Sequence, residues 1–229
     1  MIRKQAAMCA ILLTVSSAFC GTAFAAPLQG TEKAAVSAES ALHVDSSRWN
    51  YDKDNDIYYQ IGLVYCKNPV ASEYESLSVY VPGAYMKGTP NADGTYTCQS
   101  SDKGKVGEYT ARTAPVIMPV NTGGYAAQKA PSSYAPKGLN TYLSQGFVYV
   151  FAGCRGRDNG TNPDGTTFDG GAPWGVTDLK AAVRYLRYND FFLPGNKGRI
   201  FTFGHSGGGA QSALAQAGIR LYGGVNGNA

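Results

Sequence analysis

The run Arg199-Ile200-Phe201-Thr202-Phe203-Gly204-His205-Ser206-Gly207-Gly208-Gly209-Ala210-Gln211-Ser212-Ala213-Leu214 is the stretch of this chain best suited to covalent chemistry. β-branched and aromatic residues lead straight into Gly-His-Ser-Gly-Gly-Gly, and residues tolerated in a helix follow, which predicts strand, sharp turn, helix. A serine at the tip of such a turn fits the nucleophile elbow G-x-S-x-G, whose flanking positions must lack side chains that would collide with strand or helix. Gly204 and Gly208 hold those positions, so Ser206 is the candidate nucleophile. Gly207 would offer its N–H to an oxyanion from the start of the new helix, where free donors and the helix dipole favour negative charge. A phosphate cradle is the competing reading, but a loop of the form GxxxxGK[ST] needs a lysine that this segment lacks.

A second oxyanion donor must come from another strand end. Pro115-Val116-Ile117-Met118-Pro119-Val120 reads as a buried strand, and it empties into Asn121-Thr122-Gly123-Gly124-Tyr125, where Gly123 and Gly124 let backbone N–H groups approach a ligand. Phe147 to Phe151 is an uninterrupted apolar run, as expected of a strand covered on both faces. After it, Arg155 and Arg157 could meet a substrate carboxylate or phenol, or could order the loop as donors to backbone and Asp side chains; Tyr125, after the Gly pair, is a third candidate for substrate contact. Thr177 is expected to cap a helix whose Leu179, Ala182, Val183 and Leu186 are spaced three and four apart. Earlier, Ile57 to Cys66 and Leu77 to Val81 read as an antiparallel strand pair, and Lys87 to Glu108 as a long surface excursion with a short strand at Thr95 to Cys98. A short helix is expected over Asn140 to Ser144. The alternate acidic residues from Asp52 to Asp56 fail the calcium-loop rule, because Ile57 stands where the sharp-turn glycine belongs.

Arg3 and Lys4, the apolar run from Ala6 to Phe19 and the site Ala23-Phe24-Ala25 read as a secretory signal over 1–25, cleaved after Ala25, which implies a secreted or periplasmic protein. Phe19 beside Cys20 argues against a lipoprotein anchor, and no stable membrane anchor is expected. Residues 26–50 are small, polar and unpatterned, a flexible lead-in to a domain over 51–229. The formal net charge of +4 includes Arg3 and Lys4, and the remaining basic residues are scattered, so nothing calls for nucleic acid. Cys66, Cys98 and Cys154 remain after cleavage. An odd number in an oxidising compartment predicts one bridge and one free thiol, with Cys66–Cys98 the expected pair because Cys154 closes a predicted buried strand. No metal-ligand spacing is present, and neither metal nor cofactor is expected.

With these residues in hand the chain resembles an α/β-hydrolase, and within that superfamily the bacterial tannase and feruloyl-esterase-like secreted esterases. The resemblance rests on Tyr58-Tyr59-Gln60-Ile61-Gly62, on Tyr80-Val81-Pro82-Gly83-Ala84-Tyr85 and on Asn121-Thr122-Gly123-Gly124-Tyr125. It rests too on Gly153-Cys154-Arg155-Gly156-Arg157, on the helix from Asp178 to Arg187 and on the elbow from Gly204 to Ala210, spanning Asn50 to Ala217. It implies a mostly parallel sheet with an antiparallel start, Ser206 as acylated nucleophile, Gly207 with Gly123 and Gly124 as oxyanion donors, and an ester of a phenolic or other small carboxylic acid as substrate.

The departure from that pattern is large. In such enzymes the acid and the histidine follow the nucleophile, yet the 23 residues after Ser206 contain no Asp, Glu or His. His205 is the x of the motif and points away from its neighbour. His43 precedes the serine, in an unpatterned segment. The chain is therefore expected to be the N-terminal portion of an esterase lacking its C-terminal strands, inactive as it stands. The alternatives are an exported non-catalytic binder on the same half-fold, or one chain of a split esterase paired with a complementing C-terminal chain.

Overall fold

In the computed structural model the described residues are 42–157, 164–166 and 173–223, the side chains of 173 and 218–223 excepted. The expected signal segment, residues 26–41 and most of the Gly- and Asp-rich loop after Arg157 lie outside them.

Among the described residues eight strands form: β1 (Asn50–Asp52), β2 (Ile57–Val64), β3 (Ser76–Pro82), β4 (Met86–Pro90), β5 (Tyr96–Ser100), β6 (Pro115–Val120), β7 (Val148–Ala152) and β8 (Asn196–Gly204). Three α-helices accompany them among the described residues: α1 (Asn140–Leu143), α2 (Pro173–Tyr188) and α3 (Gly207–Gly223). The main sheet has the order β1-β2-β3-β7-β6-β8. β1, β2, β3 and β7 pair antiparallel, whereas β6 runs parallel to both β7 and β8. The sheet is mixed, consistent with an α/β fold, and its parallel part holds the elbow. Every residue of β3 and of β6 is buried, which explains the unbroken apolar run of β6, while β3 buries Ser76 and Ser78 among its apolar residues.

Alternation along the strands divides the core. One face carries Leu77, Val79, Val116, Met118, Val148, Val150 and Ile200, packed against Leu179, Ala182, Val183 and Leu186 of α2 and Ala215 of α3. The other carries Ile57, Tyr80, Tyr59, Tyr149 and Phe151 under Leu139, Leu143 and Tyr134. Among the described residues β8 is an edge strand, and Phe201 and Phe203 on it are exposed.

Four expectations are corrected. First, α2 begins at Pro173, not at a cap on Thr177; proline with its preset φ suits a first helical position, and Thr177 lies exposed within the helix. Second, the excursion after Lys87 is largely the hairpin β4–β5. Gly88 and Pro90 disguised β4, yet a Cβ at Gly88 would lie 2.4 Å from the Tyr58 hydroxyl, so glycine is what lets the strand cross that ring. Third, the lead-in does not remain loose as far as residue 50: Trp49 is fully buried, and Val44 N–H donates to Asn189 Oδ1 at 2.9 Å.

Fourth, Cys66, Cys98 and Cys154 are all free. Cys98 lies opposite Gly88 near the Tyr58 end of β2. Cys66 follows the other end, eight residues on and so roughly 25 Å along a strand. Burial pushes each of the three thiols up to about 12, which disfavours the reactive thiolate.

Candidate active site

β8 delivers its last residues alongside β6, with Val120 opposite Gly204. A Cβ at Gly204 would fall 2.2 Å from the Val120 carbonyl oxygen, and one at Gly208 2.1 Å from the same atom, so only glycine lets the turn pass. Between them Ser206 holds φ 53°, a left-handed conformation uncommon for a residue with a side chain. It is exposed at the tip. Gly208 N–H donates to His205 O at 3.0 Å and Ala210 N–H to Ser206 O at 3.1 Å, which closes the turn into α3 at once.

Beyond β6 the chain enters a 3-10 turn, Gly123–Tyr125, with φ 61° at Gly124 and 64° at Tyr125. Tyr125 N–H donates to Thr122 O at 3.0 Å and Ala126 N–H to Gly123 O at 3.1 Å. A Cβ on Gly207 would lie 2.6 Å from Thr122 O, 2.7 Å from Tyr125 N and 3.3 Å from Gly124 N. The turn therefore rests on the elbow, backbone against backbone. Among the described residues no hydrogen bond engages the N–H of Gly123, Gly124 or Gly207. Donors left open beside an exposed oxygen nucleophile are suited to charge that develops on a carbonyl oxygen.

The three residues considered for substrate contact part company. Arg155 does not face a ligand: its Nε donates to Asp178 Oδ2 at 2.9 Å, its Nη2 to Oδ1 at 2.7 Å, and Nη2 lies 3.5 Å from Glu75 Oε1, all in the interior. The indole of Trp174 stacks 4.3 Å from its guanidinium carbon. Through these bonds Arg155 ties the end of β7 to the first turns of α2. Arg157, by contrast, is exposed, its N–H donates to Tyr125 O at 2.8 Å, and its Nη2 lies 4.0 Å from where a Gly124 Cβ would be. Tyr125 is 41 % exposed beside it.

Neither histidine acts as a visible base for Ser206. His205, the x of the motif, is exposed, and among the described residues no hydrogen bond joins it to Ser206. His43 Nε2 lies 2.9 Å from the Tyr188 hydroxyl, and its ring stacks on Tyr188 at 4.7 Å. Because α2 runs from the C-terminal end of β7 back to the N-terminal end of β8, Tyr188 and His43 sit at the end of the sheet opposite Ser206. A cavity of about 800 Å³, lined in part by Cys98, Asp190, Phe191, Phe192 and Lys197, lies at that opposite end too, away from the candidate nucleophile.

Sequence reasoning passed over the side chains that hold the turn. Gln128 accepts from Asn121 N–H at 2.5 Å and donates to Ala152 O at 2.6 Å, bridging the ends of β6 and β7. Gln211 accepts from the Thr122 hydroxyl at 2.6 Å. Gln211 left one trace in the sequence, as a lone amide among small residues five positions after the serine; Gln128 left none.

No family model and no curated protein sequence matches the chain. Solved structures do. A tannase from Fusobacterium nucleatum superposes with a TM-score of 0.61 at 28 % identity, over 75 % of this chain and 35 % of its own. A tannase from Lactobacillus plantarum gives 0.61 at 30 % identity, over 78 % and 36 %. A tannin acyl hydrolase solved with ethyl gallate gives 0.56 at 35 % identity, over 72 % and 35 %. The chain spans about a third of the length of these proteins. Over the part of their length that it spans, this chain is tannase-like.

Proposed function

We propose that this chain is the nucleophile-bearing part of an exported serine ester hydrolase acting on esters of phenolic or other small carboxylic acids. The observation that carries the reading is Ser206 at φ 53°, exposed, with the Gly123–Tyr125 turn seated on Gly207. Ser206 Oγ would attack the ester carbonyl carbon, forming the Oγ–C bond as the carbonyl oxygen becomes an oxyanion between the N–H groups of Gly207 and of Gly123 or Gly124. Collapse expels the alcohol, which takes up a proton, and water then cleaves the acyl–serine to release the acid. Tannin acyl hydrolases similar to this chain were solved with ethyl gallate and with 3,4-dihydroxybenzoate, which supports a phenolic acyl group. Among the described residues no histidine or carboxylate is hydrogen-bonded to the Ser206 hydroxyl, so this reading takes the proton acceptor from other polypeptide, continuous with these residues or on a complementing chain. The N-terminal signal-like segment supports export.

The test is to join the chain to the C-terminal part of a tannase and follow hydrolysis of ethyl gallate. Turnover is expected, and Ser206→Ala should lower it by roughly 10⁴ to 10⁶. Full turnover in Ser206→Ala would remove the serine from the mechanism. Equal ligand binding by both forms with no turnover would instead make the protein a binder.

A further inference from the structure

The turn that carries the open N–H groups is not self-supporting. Gly123, Gly124 and Tyr125 are all exposed, and two of them hold positive φ. Thr122 immediately before them is fully buried, and its hydroxyl donates to Gln211 Oε1 at 2.6 Å. Gln211 is itself only 2 % exposed, although it stands on α3 five residues after Ser206. Room for its amide is made by a missing side chain: a Cβ at Gly175 on α2 would lie 2.4 Å from Gln211 Nε2. A buried primary amide is costly unless its polar atoms are bonded, so an apolar residue of the same volume would be the cheaper filling for this position.

We infer that Gln211, acting through the Thr122 hydroxyl, is a positioning residue that fixes the Gly123–Gly124 donors against the elbow. The link is direct in structure. Ser206, Gly207 and Gln211 share the start of one helix, and Thr122 shares a turn with Gly123 and Gly124. The Thr122–Gln211 hydrogen bond therefore sets the distance between nucleophile and turn from the inside, while Gln128 fixes the base of the turn through Asn121 N–H. A donor misplaced by about 1 Å loses much of its value to a transition state, so a helix-borne acceptor holding an exposed glycine turn is a device for precision. This inference rests on the ester-hydrolase reading of the site.

The test uses the full chain. Thr122→Val keeps the volume and removes the hydroxyl, Thr122→Ser keeps the hydroxyl, and Gln211→Leu removes the acceptor. Amide hydrogen exchange is read at Tyr125 and Ala126, whose hydrogen bonds close the turn. Thr122→Val and Gln211→Leu should each accelerate exchange there about tenfold, the loss of roughly one hydrogen bond. The double variant should add nothing further, β2 and β3 should be unaffected, and Thr122→Ser should restore protection. Unchanged exchange at Tyr125 and Ala126, a failure of serine to rescue, or acceleration spread across β2 and β3 would each overturn the inference. In the tannase-joined protein, Thr122→Val should lower kcat for ethyl gallate about tenfold with KM unchanged; a raised KM at constant kcat would also overturn it. Failure of Ser206→Ala to abolish turnover would sink the hydrolase reading separately, without touching the exchange result.

Discussion

The two ends of the parallel strands treat their backbone polar groups in opposite ways. Where β6, β7 and β8 finish, buried side chains hold the backbone in place while the Gly123, Gly124 and Gly207 N–H groups stay open. Where β8 begins, the polar groups are bonded to one another. The Lys197 ammonium donates to the carbonyls of Leu193, Pro194 and Gly195 and lies 3.4 Å from Asp190. Burial lowers its pKa to about 8, Asp190 opposing. Asn189 likewise bonds Val44 N–H and Leu42 O, and His43 stacks on Tyr188. One end keeps donors unsatisfied and the other leaves few to offer, although the cavity of about 800 Å³ lies at the second.

The sharpest way to break this contrast is Arg155→Ala. It leaves the buried carboxylates of Asp178 and Glu75 without their cation, and removal of one partner from such a group costs about 3–5 kcal/mol. Chemical denaturation should show that loss. A change under about 1 kcal/mol would mean that the interior network does not support the elbow end.

Next in size is Gly208→Ala. Its new Cβ would meet the Val120 carbonyl at 2.1 Å, backbone that cannot swing aside, so about 1–3 kcal/mol is expected together with displacement of Ser206. Thermal unfolding checks the first part and amide shifts around residues 205–208 the second. Gly209→Ala is the control, since its nearest contact is a milder 3.1 Å.

At the other end, Lys197→Met should cost about 1–3 kcal/mol by leaving buried carbonyls unbonded, while the amide shifts of Gly123, Gly124 and Gly207 stay put. Movement of those shifts would show that the two ends are coupled through β8.

The smallest expected effect is on the antiparallel side. The Tyr134 hydroxyl, and then Asn55, holds the Asp52 carboxyl below its ordinary value of 3.8. A group whose folded pKa is lowered contributes stability that is present above the unfolded value and lost as pH falls through the folded one. Melting temperature should therefore drop on acidification below about pH 4, and Asp52→Asn should flatten that part of the profile. An identical slope in both proteins would assign the acid sensitivity to other carboxylates.

The elbow was legible because its constraints are local. Strand-forming Ile200 to Phe203, glycines at two fixed offsets and a helix start leave little freedom, and the close approaches at Gly204 and Gly208 are the steric reason for that spacing. β6 was legible because burial on both faces writes an unbroken apolar run, and β7 because its five residues are all apolar although Tyr149 and Phe151 are only half-buried. What the sequence by itself determined was thus the strands and helices around the elbow and the residue at the tip of the turn, whereas β1 and the β4–β5 hairpin escaped it. Which polar side chains would be buried together was decided only by tertiary structure. Arg155 finds Asp178 and Glu75, Thr122 finds Gln211, and Gln128 finds Ala152 across 23, 80, 89 and 24 positions of chain, the Glu75 and Thr122 pairs being the longest. No spacing rule encodes such pairs, because a hydrogen bond depends on where two backbones meet in space and not on how far apart they lie in sequence.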